Sequence, residues 1–401
     1  MNDLPNLDVI VVGGGIAGAC MAGVLAREGL GVLVIEKEAR FRDRIRGEGT
    51  WPWGVAEART AGLGDLLDQV GLDLMGVVRY ENGQPAETDW TVDPVDGVPL
   101  ISFFHPQLQE AAFTWAASQG AITLRPAKAV AFSRNGQSCL TIERDGEMFE
   151  ATARLVIGAD GKHSMARRWT GGESLADPEH HRMGGVALTG ATFDGTNDNY
   201  CWDAGEAVNW FSAGRELTRL YVIMQAHRLR ETGVDRDFAS ILTYAGERMP
   251  PGALTGAEQA GPIGYFSSSD TWGTRIAGNG VVLIGDAAGS PDPCQGHGTS
   301  LIFHDIRRLR DWLRFAPDWD DATAAFAADR ERAFAVIQAF DRWHDPFFEN
   351  TPEAARQLEG HEKAKQADPT LGGFAWIERR GPDGLVADEA ARRHYFGEDL
   401  A

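Results

Sequence analysis

Apolar residues in this chain come in short unbroken runs and in longer mixed stretches, and their order predicts alternating strands and helices. Residues 8–12 form a brief β-branched run without polar alternation, the pattern of a strand buried on both faces. Residues 17–28 have helical composition, Gly29 closes them, and 31–36 read as a second strand ending at Glu36. That order implies parallel strands joined by a right-handed crossover. Between 79 and 104, turn residues such as Asn82-Gly83 and Pro94-Val95-Asp96-Gly97 separate short strand-like runs. A helix follows over 108–119, an antiparallel meander over 127–150, and a strand over 154–157. β-Rich segments return between 183 and 224, among them 208–211 and 220–223, and a further buried strand lies at 281–284. Helical sequence runs over 301–313 and 321–343, and the tail 345–401 is polar with scattered aromatics such as Phe374 and Trp376.

These elements predict a doubly wound α/β (Rossmann-like) domain, discontinuous in sequence, with an inserted β-rich domain and a helical C-terminal segment. The expected boundaries are 1–78, 98–180 and 275–345 for the nucleotide-binding domain and 79–97 with 181–274 for the insert. Residues 346–401 form a C-terminal segment to which the sequence assigns no role. The formal net charge of -20 argues against a nucleic-acid partner, since a phosphate backbone needs clustered Lys and Arg, and it disfavours anionic membrane surfaces. The cysteines Cys20, Cys139, Cys201 and Cys294 are scattered, so neither a disulfide framework nor a metal site is expected, and a reducing, cytoplasmic location is. The apolar stretch 9–26 is broken by Gly13, Gly14, Gly15, Gly18 and Gly23, which suits a strand, turn and helix better than a membrane span. Oligomeric state is left open.

The turn after the first strand reads Gly13-x-Gly15-x-x-Gly18. Gly13 permits the sharp turn, Gly15 lets a pyrophosphate approach the backbone, and Gly18 lets the helix pack on the sheet. The helix start at Ile16 and Ala17 then meets the phosphates with free N–H groups and a favourable dipole. Glu36 follows at the distance where a carboxylate accepts hydrogen bonds from a ribose. This fingerprint alone does not separate FAD from NAD. Two further motifs follow strands: Asp160-Gly161, trailed by Ser164 and Arg167, and Gly285-Asp286, trailed by Pro293, Gly296, Gly298 and Asp305. Either one alone can be turn chemistry.

Together and in this order the three motifs, spanning about residues 8–345, resemble the para-hydroxybenzoate hydroxylase family, the class A flavoprotein monooxygenases. The resemblance implies non-covalent FAD, with Glu36 on the adenosine ribose and Asp286 on the ribityl chain near the pyrophosphate. It implies that Asp160 supports the FAD site and the passage of NAD(P)H, which has no separate domain in the family. It also assigns Lys37, Arg46, His105, Val130 and Thr299 to the cofactor. Arg46, of Arg46-Gly47-Glu48, would offer paired guanidinium donors to flavin or NAD(P)H phosphates. Gly296-His297-Gly298 opens a helix whose free N–H groups would face the flavin pyrimidine edge. His297 either adds charge there or is an exposed loop histidine. The chain departs from the family in having His105 for arginine, His297 for glutamine, Ser300 for asparagine and Gly289 for histidine.

By the same resemblance, NAD(P)H reduces FAD, O2 adds at the flavin C4a, and the distal hydroperoxide oxygen passes to a small substrate, aromatic or polyketide-like. Trp51, Trp53, Trp90, Trp202, Trp210, Tyr221 and Pro293 fall on segments that surround the flavin ring or form the pocket wall in the family. Aromatics at alternating strand positions also serve as core. No acid or base is singled out; His297, Pro293 and Arg46 are candidates for a catalytic role, and no metal is required. The rival readings are a reductase or dehydrogenase of the same fold, a flavin-dependent halogenase, and a flavoprotein without turnover. A halogenase would carry a lysine at a set place beyond the glycine motif and a Trp-x-Trp-x-Ile-Pro segment. Lys37, Lys128, Lys162, Lys363 and Lys365 do not fall there, and Trp51-Pro52-Trp53 is an echo in the wrong region.

Overall fold

The structure, a computed structural model, describes residues 6–90, 97–203, 205–214, 216–368 and 377–400, with the side chains of Asp89 and Trp90 outside the description. The opening run forms the strand Leu7–Val12, parallel to Val32–Ile35 on one side and to Glu147–Gly158 on the other. Ile122–Leu124 and Val281–Leu283 continue the parallel sheet outward. The register aligns Val12 with Ile35 and Gly158, Ile35 with Leu124, and Gly158 with Leu283. All five strands therefore finish at one edge, and the residues that follow them are Gly13, Glu36, Arg125, Ala159-Asp160 and Ile284-Gly285-Asp286. The crevice outside the carboxyl ends of such strands is where open α/β sheets take their ligands.

Strand periodicity assigns the core. Val9, Val11, Val32 and Val34 face the helix Ile16–Arg27 and its neighbours, while Ile10, Val12, Leu33 and Ile35 face the meander. The third meander strand and the parallel strand are one twelve-residue element, Glu147–Gly158, so Lys128–Asn135 and Gln137–Arg144 extend the same sheet in antiparallel fashion.

A second sheet is built from Gly76–Glu81, Gln84–Trp90, His181–Thr189, Asn197–Asp203, Glu206–Ser212 and Thr218–Gln225, with Glu258–Gln259 and Gly264–Ser268 on its far strand. Its two faces do different work. Val208, Trp210, Leu220 and Val222 pack beneath the helices Ala226–Thr232 and Phe238–Gly246. Ala207, Phe211, Tyr221 and Ile223 turn the other way and meet Trp51, Trp53 and Leu301 of the first domain. The C-terminal segment closes over this second face: Phe348, Ile377, Tyr395 and Phe396 join the same cluster. Trp202 Nε1 donates to the Phe347 carbonyl at 2.8 Å and Gln225 Nε2 to the Phe348 carbonyl at 2.9 Å, fastening the segment to the sheet. Among the described residues no helix is long and apolar enough to cross a membrane.

Candidate active site

The glycines of the first turn divide by what surrounds them. Gly13 has φ of 100°, and a Cβ there would stand 2.4 Å from the Ala159 carbonyl oxygen. A Cβ on Gly18 would lie 1.8 Å from the Gly13 oxygen. Both therefore serve close packing of turn, helix and sheet. Gly15 differs, since its Cβ would meet only Gln109 Nε2, at 3.4 Å, which leaves its outer face open to a ligand. Glu36 is buried, and its carboxylate accepts from Gly14 N and Glu38 N, each at 2.8 Å, tying the turn to the second strand.

Asp160 accepts from Ser164 Oγ at 2.5 Å and from Met165 N at 2.7 Å, so it organises the start of the short helix Ala166–Trp169. Arg167 on that helix is buried and links the two later motifs. It donates to the carbonyls of Ala287 and Asp286 at 2.7 and 2.6 Å and to that of Lys162 at 2.9 Å. Gly285, with φ of 56°, donates its N–H to Asp305 at 2.8 Å, and Asp305 is paired with Arg330 at 2.7 Å in a fully buried site. Arg330 also donates to the Gly289 carbonyl at 2.8 Å, which holds the loop where the family usually carries histidine. With its backbone thus fixed from both sides, the Asp286 carboxylate makes no hydrogen bond among the described residues, and Lys162 and His105 lie within its field.

Across the crevice, Gly296 has φ of 70° and starts the helix His297–Phe315. A Cβ on Gly298 would meet nothing within 4 Å. Thr299 is buried, with its Oγ1 3.2 Å from where a Gly47 Cβ would stand. Ser300 Oγ accepts from Trp51 N at 2.9 Å and bonds Thr50 Oγ1 at 3.1 Å. A Cβ on Gly54 would lie 2.5 Å from Ser300, so the helix Pro52–Thr60 packs too closely there for the longer side chain usual in the family. His105 Nδ1 bonds the Gly47 carbonyl at 2.7 Å, and burial lowers its pKa against the pull of that carbonyl. Val130 is the extra residue of a β-bulge on Lys128–Asn135, half-buried, while Lys37 and Arg46 are exposed at the rim.

The arrangement fits FAD: open backbone at Gly15 for a pyrophosphate, a free carboxylate at Asp286 for hydroxyl groups, and open space at Gly298 for a flat ring. Those residues, with Glu36 and the helix starts, would hold it.

The aromatic candidates separate by strand face. Trp210 is fully buried on the far face beside Tyr80, and Phe211, one residue on, occupies the near face. The alternation of a strand thus removes Trp210 from the pocket and makes it core. Trp202 is turned to Phe347 and Phe348, and Trp53 lies at the near-face cluster. Pro293 is half-buried in the turn Pro293–Gln295, and the Trp90 side chain lies outside the described residues. His297 is not an exposed loop residue. It is 1% exposed, with ring centroids 6.5 Å from Trp51 and 6.4 Å from Trp53. Burial pushes its pKa down to about 3, so at neutral pH it brings no positive charge to a flavin edge.

Two buried polar groups had no place in the sequence reading. Arg219, fully buried on Thr218–Gln225, pairs with Glu48 of the Arg46-Gly47-Glu48 turn and with Asp43. Tyr221 OH donates to the same Glu48 at 3.2 Å, so its hydroxyl is engaged in this cluster. A lone arginine inside an otherwise apolar strand was the available signal. Behind Pro293, Asp270, Asp292 and Asp341 are buried together, with His181 Nε2 3.3 Å from Asp292.

A family model described as an FAD binding domain matches residues 6–314. The chain belongs to this family, that of the class A flavoprotein monooxygenases. Squalene monooxygenase of Rattus norvegicus is 23% identical over 369 residues, covering 88% of this chain and 63% of the relative, so the chain spans less than two thirds of that protein. Among solved structures, PqsL of P. aeruginosa in complex with 2-aminobenzoylacetate superposes with a TM-score of 0.71 at 22% identity, covering 88% of this chain and 99% of PqsL. The p-nitrophenol 4-monooxygenase PnpA of Pseudomonas putida gives 0.79 at 17% identity, covering 96% and 100%. Flavin-dependent halogenases share the fold as well.

Proposed function

We propose that the protein is an FAD-dependent monooxygenase that uses NAD(P)H and O2 to hydroxylate a small aromatic or polyketide-like molecule. One observation carries the reading. The consecutive residues His297 and Gly298 look in different directions, Gly298 into the open cradle and His297 into an aromatic cluster formed by both domains and the C-terminal segment. A ring lying on Gly298 would adjoin a substrate held in that cluster. FAD bound there supplies hydride acceptance and oxygen activation. The chain's own residues bind it through Gly15, Glu36 and Asp286, and the enclosing C-terminal segment keeps water from the reacting centre.

The lysines do not favour halogenation: Lys162 stands beside Asp286, Lys37, Lys128 and Lys363 are exposed, and Lys365 pairs with Glu87 at 3.6 Å. The test is NADH or NADPH oxidation and O2 uptake by the FAD-loaded protein across aromatic and polyketide-like compounds. The reading expects substrate-stimulated uptake and a product heavier by one oxygen. Reduction of a double bond without O2 uptake would transfer the protein to the reductases, and halide-dependent product to the halogenases.

A further inference from the structure

Asp270, Asp292 and Asp341 are buried beside the turn Pro293–Gln295, which leads into the helix His297–Phe315. Among the described residues their ion-pair partners are two histidines, both on Asp292: His181 Nε2 at 3.3 Å and His180 Nε2 at 3.9 Å. No Lys or Arg of the described residues pairs with any of the three. Asp341, on the helix Trp319–Trp343, is 4% exposed, and both of its oxygens lack a hydrogen-bond partner among the described residues. They lie toward the Asp292 N–H, which is spent on Asp270 Oδ1 at 2.8 Å. Three buried carboxylates without a fixed cation are costly, so the group is neutralised by protons or by a bound ion.

The side chains beside them are those a transition metal takes. His181 Nε2 lies 3.0 Å from Cys294 Sγ as well as 3.3 Å from Asp292 Oδ2, and the three ligand atoms stand within 4.8 Å of one another. One ring N–H cannot serve both neighbours. Zinc bond lengths give tetrahedral N···O and N···S edges of about 3.4 and about 3.6 Å, so an outward shift of Cys294 by about half an ångström completes three corners. On the other side of the ring, His181 Nδ1 lies 2.5 Å from His180 Nδ1. Nitrogens that close share a proton, and with it on His181 the lone pair stays on Nε2, the outer-shell arrangement that orients metal-binding histidines. Asp292 Oδ1 accepts from Cys294 N at 2.9 Å, which orients the carboxylate in turn. His180 reaches the surface and gives an ion its way in.

Chemistry narrows the ion. Burial and the nearby Asp292 hold the Cys294 thiol well above its usual pKa, so an entering ion has to displace the thiol proton to solvent. Thiophilic divalent ions such as Zn2+ do this, whereas Mg2+ and Ca2+ take oxygen ligands. The thiolate and the Asp292 carboxylate then balance the two charges of the ion. The group Glu57, His304 and Asp383 is different, since Arg307 and Arg308 already supply its cations.

We propose that His181, Asp292 and Cys294 form a structural site for a zinc-type divalent ion, with Asp341 beside it, which cross-links the strand His181–Thr189 of the inserted domain to the turn before Gly296. No step of the proposed oxygenation passes through the ion, and the proposal is tested by binding, independently of turnover.

The tag-free, FAD-loaded protein is stripped with EDTA, dialysed and titrated with zinc sulfate against a chromophoric chelator. It should take up one Zn2+ per chain, keep it through gel filtration and not release it to excess Mg2+. Zinc-edge X-ray absorption should show one sulfur at about 2.3 Å with nitrogen and oxygen neighbours at about 2.0–2.2 Å. Cys294→Ala and Asp292→Asn should each weaken zinc binding at least about tenfold, while Asp383→Asn leaves it unchanged. The wild-type spectrum decides the matter even where a variant fails to fold. Failure to bind zinc, a coordination shell without sulfur, displacement by Mg2+, or an affinity that either ligand variant leaves unchanged overturns the proposal.

Discussion

Removing Arg219 should be among the most damaging single changes available in this chain. Its guanidinium is fully buried between the two domains, donating through Nε and Nη2 to Glu48 and through Nη2 to Asp43 at 2.9 and 3.0 Å. Glu48 is itself 3% exposed, so truncating the arginine leaves a carboxylate desolvated with no cation. Breaking one side of such a pair typically destabilises by about 3–5 kcal/mol, most of it the uncompensated partner. Arg219→Met keeps the apolar stem and isolates this electrostatic part. The double variant Glu48→Met/Arg219→Met removes both charges, and its loss should fall short of the summed single losses by at least about 1–2 kcal/mol. Urea unfolding of the apoprotein, followed by tryptophan fluorescence and far-UV circular dichroism, reads this as a shift in midpoint at constant slope. A loss under about 1 kcal/mol for Arg219→Met, or strict additivity in the cycle, would refute the reasoning.

Gly18→Ala should fail to give a stable fold, since its Cβ would lie 1.8 Å from the Gly13 oxygen, whereas Gly15→Ala and Gly298→Ala should keep the apoprotein melting temperature and lose FAD affinity. FAD retention by both of the latter on dialysis would disprove the cradle. Asp286→Ala should lower FAD occupancy by the loss of charge-assisted hydrogen bonds, about 1.5–3 kcal/mol each, read from the A450/A280 ratio after dialysis. Burial depresses His297 and His344 to about 3 and about 4, so the folded state binds fewer protons than the unfolded chain below the usual histidine pKa. Stability tied to these groups is full above about pH 6.5 and falls by about 1.4 kcal/mol per pH unit per histidine as pH drops toward 4. His297→Gln should remove one such increment from the slope, and an unchanged slope would contradict the burial argument.

Much of this architecture is readable in the chain because both periodicities are clean. The β-branched runs at 8–12, 31–36 and 281–284 each correspond to a strand of the parallel sheet, and the glycine turn follows the first of them. The helix begun at His297 is longer than its apolar pattern, because Gly296 in the left-handed region starts it four residues before the periodic stretch at Leu301. Trp210 and Phe211 are adjacent aromatics on one strand, and only pairing with Leu220 and Arg219 decides which of them faces the cofactor domain. The burial of His297 likewise depends on Trp51 and Trp53, some two hundred and forty residues away in sequence, which no local pattern reports. Arg167 and Arg330 each direct a donor to a backbone carbonyl of another motif, a use of charge that composition cannot reveal.

The central claim is that oxygen from O2 reaches a bound organic molecule at this FAD site. The direct measurement is turnover of the FAD-loaded protein with NAD(P)H under 18O2 on an aromatic or polyketide-like compound that stimulates NAD(P)H oxidation, with mass spectrometry of the product. The account predicts one 18O atom per product molecule and none when 18O is supplied only as water. Product that forms without 18O, or label that enters from water, would contradict it.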